Sequence, residues 1–503
     1  MDYEHIQCHG GLTLPQAFAK RMESMLGEEF PAFCGSYASP AHPSLRVNTL
    51  KLTPEALKEA APFPGDTVPW QKNGFYYPAD EEIRPGKHPL HEAGAYYIQE
   101  ASAMLPASLR PPQPGERVLD LCAAPGGKTT QLAASLGGEG LLVANEIHPT
   151  RAGILSQNVE RMGIRNAVVT NATPAELATR FPAFFDCIVV DAPCSGEGMF
   201  RKEADAVTMW SPENVALCAT RQAEILDEAA RMLAPGGYLT YSTCTFAPDE
   251  NEGAVLAFLT RHPDFEVIPS ADPAVAEARA KDLLEGGHPE WVEGVEAYAP
   301  ALCEQVTNTY RVLPHRCRGE GHFAALLRKK GEPDNSPVSS VADKKKNRRP
   351  EKAGGKGKPN PVAAAAELFA DFCAEVAVDA SEVTARSTPC LFGDKLYLLP
   401  AAMEETALQG LKVLRAGLCA GSVPGLDRGR GRFEPDHALA RAAGISIRSF
   451  PVDYDAACAY LRGETLPCDL RGWYAVTYCG LPLGWGKASD GIMKNHYPKG
   501  LRW

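Results

Sequence analysis

Residues 118–130 constrain the fold of this chain most strongly, because they place an apolar strand, a glycine turn and a helical segment in immediate succession. Their sequence is Val-Leu-Asp-Leu-Cys-Ala-Ala-Pro-Gly-Gly-Lys-Thr-Thr. In an α/β sheet such a turn leaves free backbone N–H groups at a helix N-terminus, where an anionic cofactor group can bind. The sequence therefore predicts a cofactor pocket at the end of this strand.

Two common nucleotide-binding patterns do not account for the turn. Gly127-Lys128-Thr129 resembles the end of a phosphate-binding loop, but that loop requires glycine at the position of Cys122. The dinucleotide fingerprint G-x-G-x-x-G is also absent. A second apolar run, residues 141–145, is followed by Glu146, where a ribose-binding carboxylate belongs. This spacing favours a nucleoside cofactor, although glycine turns and strand-end acids also occur as plain connectors.

Apolar runs and helical patterns alternate between residues 117 and 330. The runs lie at residues 117–121, 141–145, 167–170, 186–191 and 238–243, and the clearest helical patterns lie at 149–162 and 212–233. This alternation predicts a parallel sheet with helices on both faces. Ligands of such sheets bind at the C-terminal ends of the strands, so the loops at those ends should carry the functional residues.

Two of these loops carry thiols. The loop after residues 186–191 reads Asp191-Ala-Pro-Cys194-Ser-Gly-Glu-Gly, and the loop after residues 238–243 begins at Cys244. A single cysteine at a strand end is usually an inert small hydrophobe. Two thiols on the edge that carries the cofactor turn, one of them near a carboxylate, favour nucleophilic chemistry.

Methylation of cytosine at carbon 5 is a reaction that needs these groups. Carbon 5 is too weak a nucleophile to take a methyl group from a sulfonium unaided. A thiolate that adds to carbon 6, with an acid hydrogen-bonded to N3 of the base, turns carbon 5 into an enamine-like nucleophile. The adduct then loses the proton on carbon 5 and expels the thiol, and a second group near that carbon helps this elimination.

Three segments closely resemble the signature motifs of the Sun family of RNA cytosine-5 methyltransferases. They are residues 121–129, 191–199 and 241–252, and the likeness extends over about residues 45–330. In this order the three segments are very specific, whereas each alone is not. The resemblance implies an α/β fold with a Rossmann-like, S-adenosylmethionine-dependent methyltransferase core.

The resemblance also implies roles for single residues. Cys244 matches the nucleophile of the family, Cys194 the cysteine that assists release of methylated RNA, and Asp191 the acid near both base and cofactor. The implied S-adenosylmethionine site consists of Cys122, Ala123, Ala124, Pro125, Gly126, Gly127 and Lys128, with Glu146 on the ribose, Arg151 and Asp191. Many members place an aspartate on the adenine side after the third strand, where this chain has Asn171-Ala-Thr-Pro174, so that contact is unassigned.

Composition shifts predict the domain boundaries. We expect a small α+β, RNA-facing N-terminal domain at residues 1–112, a catalytic domain at 113–330, a basic flexible linker at 331–362 and a PUA-like, β-rich domain at 363–503. Residues 328–358 carry eleven lysines and arginines against four acids, a local charge of +7 in a chain of net charge −11. Such a chain is not a generic nucleic-acid binder, so any RNA contact must come from local basic patches.

Basic and aromatic residues alternate in the last nineteen residues. They are Lys487, Lys494, Lys499 and Arg502 among Trp485, Tyr497 and Trp503. The pattern is typical either of phosphate contact with base stacking or of packed aromatics with solvated lysines. Together with residues 480–487, the segment is similar to the PUA-like RNA-binding module of bacterial members that modify small-subunit ribosomal RNA. This similarity favours 16S rRNA over tRNA as the substrate.

Other classes of protein are disfavoured by composition. The fifteen cysteines form no C-x-x-C pair, which argues against a zinc site and a disulfide framework. No stretch approaches the roughly 18 apolar residues needed to span a bilayer, and residues 1–5 do not begin a signal peptide. We therefore predict a cytoplasmic, monomeric enzyme with RNA as its partner and no membrane or metal.

Three alternatives remain open. A DNA cytosine-5 methyltransferase would use the cysteine of Pro193-Cys194 as its nucleophile and would need no Cys244. A tRNA methyltransferase of the same family would share the motifs. A noncatalytic RNA-binding ribosome-assembly factor would have no use for Asp191 beside two aligned thiols.

Overall fold

A computed structural model describes residues 13–79, 84–332, 360–426 and 431–503 of the chain. Most of the basic linker predicted at residues 331–362 lies outside the described residues. In the described residues a large central sheet is accompanied by a smaller N-terminal sheet and by two C-terminal sheets.

The N-terminal region combines short helices with a four-stranded antiparallel sheet. Its helices are α1 (Gln16–Leu26), α2 (Phe30–Tyr37), α3 (Pro54–Ala60), α4 (Pro89–Glu92) and α5 (Leu105–Leu109), and its strands are β1 (Ser44–Val47), β2 (Thr67–Val68), β3 (Gln71–Tyr76) and β4 (Tyr96–Ile98). The strand order is β2-β3-β1-β4. Phe18 and Phe33 of the first two helices pack against Phe246, which lies two residues after Cys244. The N-terminal region therefore supports one of the two cysteine loops.

The central region alternates strands and helices, as the sequence predicted. Its strands are β5 (Arg117–Asp120), β6 (Leu141–Asn145), β7 (Ala167–Thr170), β8 (Phe185–Asp191), β9 (Leu233–Thr243), β10 (Phe265–Val267), β11 (Tyr310–Val312) and β12 (His322–Lys329). Its helices are α6 (Gly127–Leu136), α7 (Pro149–Arg161), α8 (Pro174–Arg180), α9 (Ala204–Met209), α10 (Pro212–Met232), α11 (Glu252–Arg261), α12 (Pro273–Ala280) and α13 (Pro300–Val306).

The centre of this sheet has the order β9-β8-β5-β6-β7 and is parallel throughout. Beyond β9 the sheet continues with β12 and β10, which are antiparallel to their neighbours. The expectation of a parallel sheet therefore holds for its centre and not for its edge. Because β5 has β6 on one side and β8 on the other, the turn after β5 lies at a topological switch point, where α/β sheets bind ligands. The Rossmann-like prediction is confirmed.

Both faces of the central sheet are buried. Val118 packs with Leu132 of α6 and Leu155 of α7 on one face, whereas its neighbour Leu119 packs with Leu226 of α10 on the other. Successive side chains of a strand point to opposite faces, so an uninterrupted apolar run is what a strand covered on both sides requires. The uniformly apolar strands thus fix the layers of the core.

The C-terminal region contains two separate sheets. Its helices are α14 (Pro361–Glu375), α15 (Ala380–Thr384), α16 (His437–Arg441) and α17 (Tyr454–Arg462). Its strands are β13 (Ser387–Phe392), β14 (Lys395–Pro400), β15 (Val413–Ala416), β16 (Leu418–Ser422), β17 (Glu434–Pro435), β18 (Ser449–Val452), β19 (Leu466–Pro467), β20 (Gly472–Tyr478), β21 (Leu481–Ser489) and β22 (Ile492–Asn495). The two sheets have the orders β13-β14-β16-β17 and β18-β20-β21-β22-β19.

Strand β15 belongs to neither of these C-terminal sheets. It pairs antiparallel with β7 and so extends the central sheet at the edge opposite β10. Within the described residues, no helix has both the length and the apolar character needed to cross a membrane.

A buried ion pair anchors the start of α11. Glu252 accepts hydrogen bonds from the guanidinium of Arg311 on β11, and the same guanidinium donates to the carbonyl oxygen of Phe246 at 3.1 Å. Both side chains are at most 1% exposed. Arg311→Met should lower the free energy of unfolding by about 3–5 kcal/mol, because it leaves the Glu252 carboxylate buried without a countercharge.

Equilibrium urea denaturation followed by tryptophan fluorescence measures this change, since Trp291 lies against the Arg311 guanidinium. The matched control is Arg328→Met, which removes an exposed arginine from β12. Equal stability of the two variants would contradict the expectation.

Candidate active site

The predicted cofactor turn follows β5 and ends where α6 begins. Gly126 precedes the helix with φ 117° and ψ 9°, a left-handed conformation that favours glycine. Two backbone carbonyls of the turn are bound from α7: Ala124 O accepts from Arg151 Nη2 at 2.7 Å, and Pro125 O accepts from Asn158 Nδ2 at 2.8 Å. The turn is therefore fixed by the helix that follows the next strand.

Glu146 lies at the end of β6 beside this turn. Its side chain is 4% exposed, its Oε1 accepts from His148 N at 2.9 Å, and its Oε2 lies 3.5 Å from Arg151 Nη1. Asn171 Nδ2 donates to the carbonyl oxygens of Glu146 and Ile147, both at 2.8 Å. Asn171 therefore fixes the loop that carries Glu146.

Asp191 ends β8 between the side chains of Lys128 and His322. Its Oδ2 lies 2.7 Å from Lys128 Nζ, its Oδ1 accepts from Ser242 Oγ at 2.8 Å, and His322 Nε2 lies 3.5 Å from Oδ1. Burial raises the pKa of Asp191, but Lys128 and His322 outweigh it and hold that pKa below the usual range. Asp191 is therefore an ionised carboxylate, which accepts hydrogen bonds and donates one only after taking up a proton.

The two predicted cysteines lie together. Cys194 Sγ and Cys244 Sγ are 3.3 Å apart, and the backbone N–H of Cys244 points at Cys194 Sγ at 3.4 Å. Both residues are partly accessible. The hydrogen bond with Cys244 and burial raise the pKa of Cys194 well above the usual value for a thiol. Cys194 therefore keeps its proton and can donate its S–H to the sulfur of Cys244.

One cavity of about 960 Å³ joins these groups at the C-terminal ends of the parallel strands. The sequence-predicted residues on its wall are Cys122, Ala124, Glu146, Arg151, Asp191, Cys194 and Cys244. The remaining predicted residues, Ala123, Pro125, Gly126, Gly127 and Lys128, shape the turn and the ion pair behind that wall. A cavity of this size is at the upper end of those that hold small molecules and cofactors.

Several residues of the site were not singled out from the sequence. His322, which is 4% exposed, reaches Asp191 from the antiparallel strand β12. Thr173 and Pro174 line the cavity in the segment that departs from the family pattern, and Arg221 lines it from α10. Arg221 was not identified because the helical periodicity of α10 does not show which of its polar residues face a ligand. Among the described residues, no cluster of three or more His, Cys, Asp or Glu side chains has the arrangement to hold a metal ion.

The aromatic residues near the C-terminus divide into two groups. Trp485 and Tyr497 are each only 2% exposed, and they pack in two different buried clusters. Trp503 is 45% exposed, and Lys487 Nζ lies 5.0 Å from the centre of the Trp473 ring. The packing alternative therefore applies to Trp485 and Tyr497.

Comparison with known families gives four matches in chain order. Residues 14–101 match the N-terminal domain of 16S rRNA methyltransferase RsmF, and residues 107–328 match 16S rRNA methyltransferase RsmB/F. Residues 371–442 match the RsmF rRNA methyltransferase first C-terminal domain, and residues 448–503 match the methyltransferase RsmF PUA domain. The two C-terminal matches correspond to the two C-terminal sheets.

Full-length relatives agree with these matches. Ribosomal RNA small subunit methyltransferase F of Klebsiella pneumoniae (strain 342) is 34% identical, over 97% of this chain and 96% of the relative. The protein of the same name from Vibrio vulnificus (strain YJ016) is 31% identical, over 98% of each chain. Among solved structures, a methyltransferase homolog protein from Pyrococcus horikoshii is similar with a TM-score of 0.53 and 29% identity, over 63% of this chain and 95% of that chain.

Proposed function

Since the chain belongs to the family of ribosomal RNA small subunit methyltransferases F, we propose that it methylates carbon 5 of a cytosine in 16S rRNA through a covalent adduct on Cys244. The family makes the chain an rRNA methyltransferase, and S-adenosylmethionine is its cofactor. The observation that carries the finer proposal is the 3.3 Å separation of Cys194 Sγ and Cys244 Sγ on the wall of the cofactor cavity.

The residues around the cavity fit S-adenosylmethionine. Glu146 presents a nearly buried carboxylate beside the turn of residues 121–126, as binding of ribose hydroxyls requires. Cys122 and Ala124 line the same cavity, as do Asp191 and the two thiols. When bound, the cofactor supplies an electrophilic methyl group on a sulfonium.

Glu146→Ala should weaken S-adenosylmethionine binding about tenfold or more, because it removes the charged acceptor for the ribose hydroxyls. Isothermal titration calorimetry measures the affinity directly and does not depend on RNA. The matched control is Glu293→Ala, which removes an exposed glutamate of the same region. Unchanged affinity of the Glu146 variant would contradict the assignment of the ribose site.

The two cysteines have different roles in the covalent chemistry. Cys244 first loses its thiol proton to solvent, and the thiolate forms a bond to carbon 6 while the electron pair of the C5=C6 bond moves to carbon 5. That pair would then form the bond to the methyl group, whose bond to the donor sulfur breaks with its electron pair left on that sulfur. The proton on carbon 5 then passes to solvent, the C5=C6 bond forms again, and Cys244 leaves as a thiolate. Because Cys194 keeps its proton, its S–H can hydrogen-bond to the sulfur of Cys244 and stabilise the thiolate before attack and on departure.

Asp191 is placed to recognise the base. As a carboxylate it can accept a hydrogen bond from the exocyclic amino group of cytosine, and Lys128 and His322 stabilise its charge. Uracil has no such amino group, so this contact favours cytosine. Donation to N3, as expected from the sequence, requires that Asp191 take up a proton during adduct formation.

The proposed RNA substrate is 16S rRNA. The relatives are named for the small ribosomal subunit, and residues 448–503 match a PUA domain of the same group. We further propose the division into an RNA-facing region at 1–112, a catalytic region at 113–330, a linker at 331–362 and an RNA-binding region at 363–503. Bisulfite sequencing of total RNA from a deletion strain tests the substrate. A lost mark in 16S rRNA supports the proposal, and a lost mark in tRNA with intact 16S rRNA would overturn it.

A further inference from the structure

We propose that Glu250 and Gln222 act as a positioning pair that holds Cys194 against Cys244, so that the methylated RNA can be released. Neither residue lines the cofactor cavity, and their hydrogen bonds go to neighbours of Cys194 and to each other, not to the two sulfurs. The inference rests on the proposed function, because it assigns the pair to the step that Cys194 assists. Its basis is a set of hydrogen bonds that converge on both sides of Cys194.

Glu250 connects the loop of Cys244 to the residue after Cys194. It lies six positions after Cys244, and its Oε2 accepts from the backbone N–H of Ser195 at 3.0 Å. Its Oε1 is hydrogen-bonded to Ser195 Oγ, which also contacts Thr245 Oγ1 at 2.8 Å. The carboxylate is completely buried. One acidic side chain therefore ties the two cysteine loops together beneath the thiols.

Gln222 of α10 completes the arrangement on the other side of Cys194. Its Nε2 donates to the carbonyl oxygen of Pro193 at 3.0 Å and to Glu250 Oε2 at 2.8 Å. Ser195 is thus bound directly to the Glu250 carboxylate, and Pro193 is bound to it through the amide of Gln222. These bonds therefore hold the backbone on both sides of Cys194.

A second carboxylate also connects the two loops, but it belongs to the loop of Cys194 and accepts from the loop of Cys244. Glu197, three residues after Cys194, accepts from the backbone N–H of Phe246 at 2.9 Å. Gly198 N donates to the carbonyl oxygen of Cys244 at 2.7 Å. A Cβ atom on Gly198 would lie 3.0 Å from that oxygen and 2.6 Å from Gly321 O, so only glycine allows this approach. The two loops are therefore joined by several hydrogen bonds. Those made by Glu250 and Gln222 are the ones that flank Cys194.

Stability alone does not explain a buried Glu250 and Gln222. Burial raises the pKa of Glu250 to about 7, which means that folding works against its charge. Gln222 Oε1 is buried without a hydrogen-bond partner in the described residues, and such an atom costs free energy. Apolar side chains of similar size would avoid both penalties. The polar pair is explained if its purpose is to fix the position of a reacting thiol.

Gln222→Leu tests the proposal, because leucine keeps the volume and removes both hydrogen bonds. We expect multiple-turnover methylation of 16S rRNA to fall roughly 10- to 100-fold. We also expect the fraction of enzyme held as a covalent RNA adduct on denaturing gels to rise above that of the unsubstituted protein. Glu250→Gln should stay near the unsubstituted protein, since its amide can accept from Ser195 N and Gln222 and donate to Ser195 Oγ. Thr220→Val, an exposed change on α10, is the matched control.

The outcomes are separable. A general loss of structure would lower adduct, turnover and S-adenosylmethionine binding together, and that result, like an unchanged Gln222→Leu enzyme, would overturn the positioning role. Cys194→Ala in the same assay tests the proposed function on which the inference rests. If Cys194→Ala accumulates adduct and Gln222→Leu does not, only the positioning pair is wrong. If Cys194→Ala accumulates none, the assignment of Cys194 itself fails.

Discussion

Replacement of Cys244 by alanine is expected to lower the rate of 16S rRNA methylation by on the order of a thousandfold or more. Without the sulfur no bond to carbon 6 can form, and carbon 5 of cytosine stays too weak a nucleophile to take the methyl group. The change is a small one at a partly accessible position, so the fold and the cofactor cavity should persist. Methyl transfer to 16S rRNA under single-turnover conditions measures the loss, and calorimetry shows whether S-adenosylmethionine still binds.

Cys303→Ala on α13 serves as the control, because it removes another partly accessible cysteine away from the cavity. It should leave methylation unchanged. Retention of more than about a tenth of the activity in Cys244→Ala would mean that another group attacks the base.

Replacement of Cys194 by alanine should produce the second large effect, which is an accumulated covalent complex. Cys244 is intact in this variant, so adduct formation and methyl transfer should proceed. The S–H group 3.3 Å from Cys244 Sγ is missing, so departure of the thiolate should be slow. We expect multiple-turnover methylation to fall by roughly a hundredfold. A single turnover should change by less than about tenfold.

Denaturing gels of enzyme mixed with 16S rRNA and S-adenosylmethionine show the complex as a band of reduced mobility. The double variant Cys194→Ala, Cys244→Ala should show no such band. An adduct in Cys244→Ala together with none in Cys194→Ala would reverse the roles and would favour the chemistry of a DNA-type enzyme, in which the cysteine after Pro193 attacks.

The strands and loops that build the site could be predicted from the sequence. Strands buried on both faces require uninterrupted apolar runs. The runs whose following loops line the site were recognisable because glycine, proline or polar residues come soon after each of them. Since parallel strands end on one edge of the sheet, Cys194 and Cys244 were expected to lie near each other although fifty positions separate them. Glu146 and Asp191 were found by the same reasoning.

Contacts from elements far along the chain could not be predicted. The antiparallel strand β12 brings His322 to Asp191, and β15 extends the sheet from more than two hundred positions after β7. Neither strand has a local sequence pattern that shows which strand it pairs with. Glu250 was visible as one acid in a loop, but only the folded structure shows that its oxygens face Ser195.

The aromatic residues of β21 and the last turn show a different limit. Interleaved lysines and aromatics fit an RNA-binding surface as well as a packed strand. Simple alternation does not separate the two interpretations, because the pairing of β21 with β20 shifts in register. Leu481 and Leu483 pack in one cluster and Trp485 packs in another, although all three are buried. Lys487 lies two positions after Trp485 and is exposed, with its ammonium over the ring of Trp473.

Identification of the amino acid bonded to the base tests the central claim most directly. RNA carrying 5-azacytosine in place of cytosine has no proton to lose at position 5, so the enzyme stays bonded to it. Digestion of that complex and mass spectrometry locate the modified residue. We predict that the nucleotide is found on the peptide containing Cys244 and that the peptide containing Cys194 is unmodified. A nucleotide on Cys194, with Cys244 free, would contradict this account of the site.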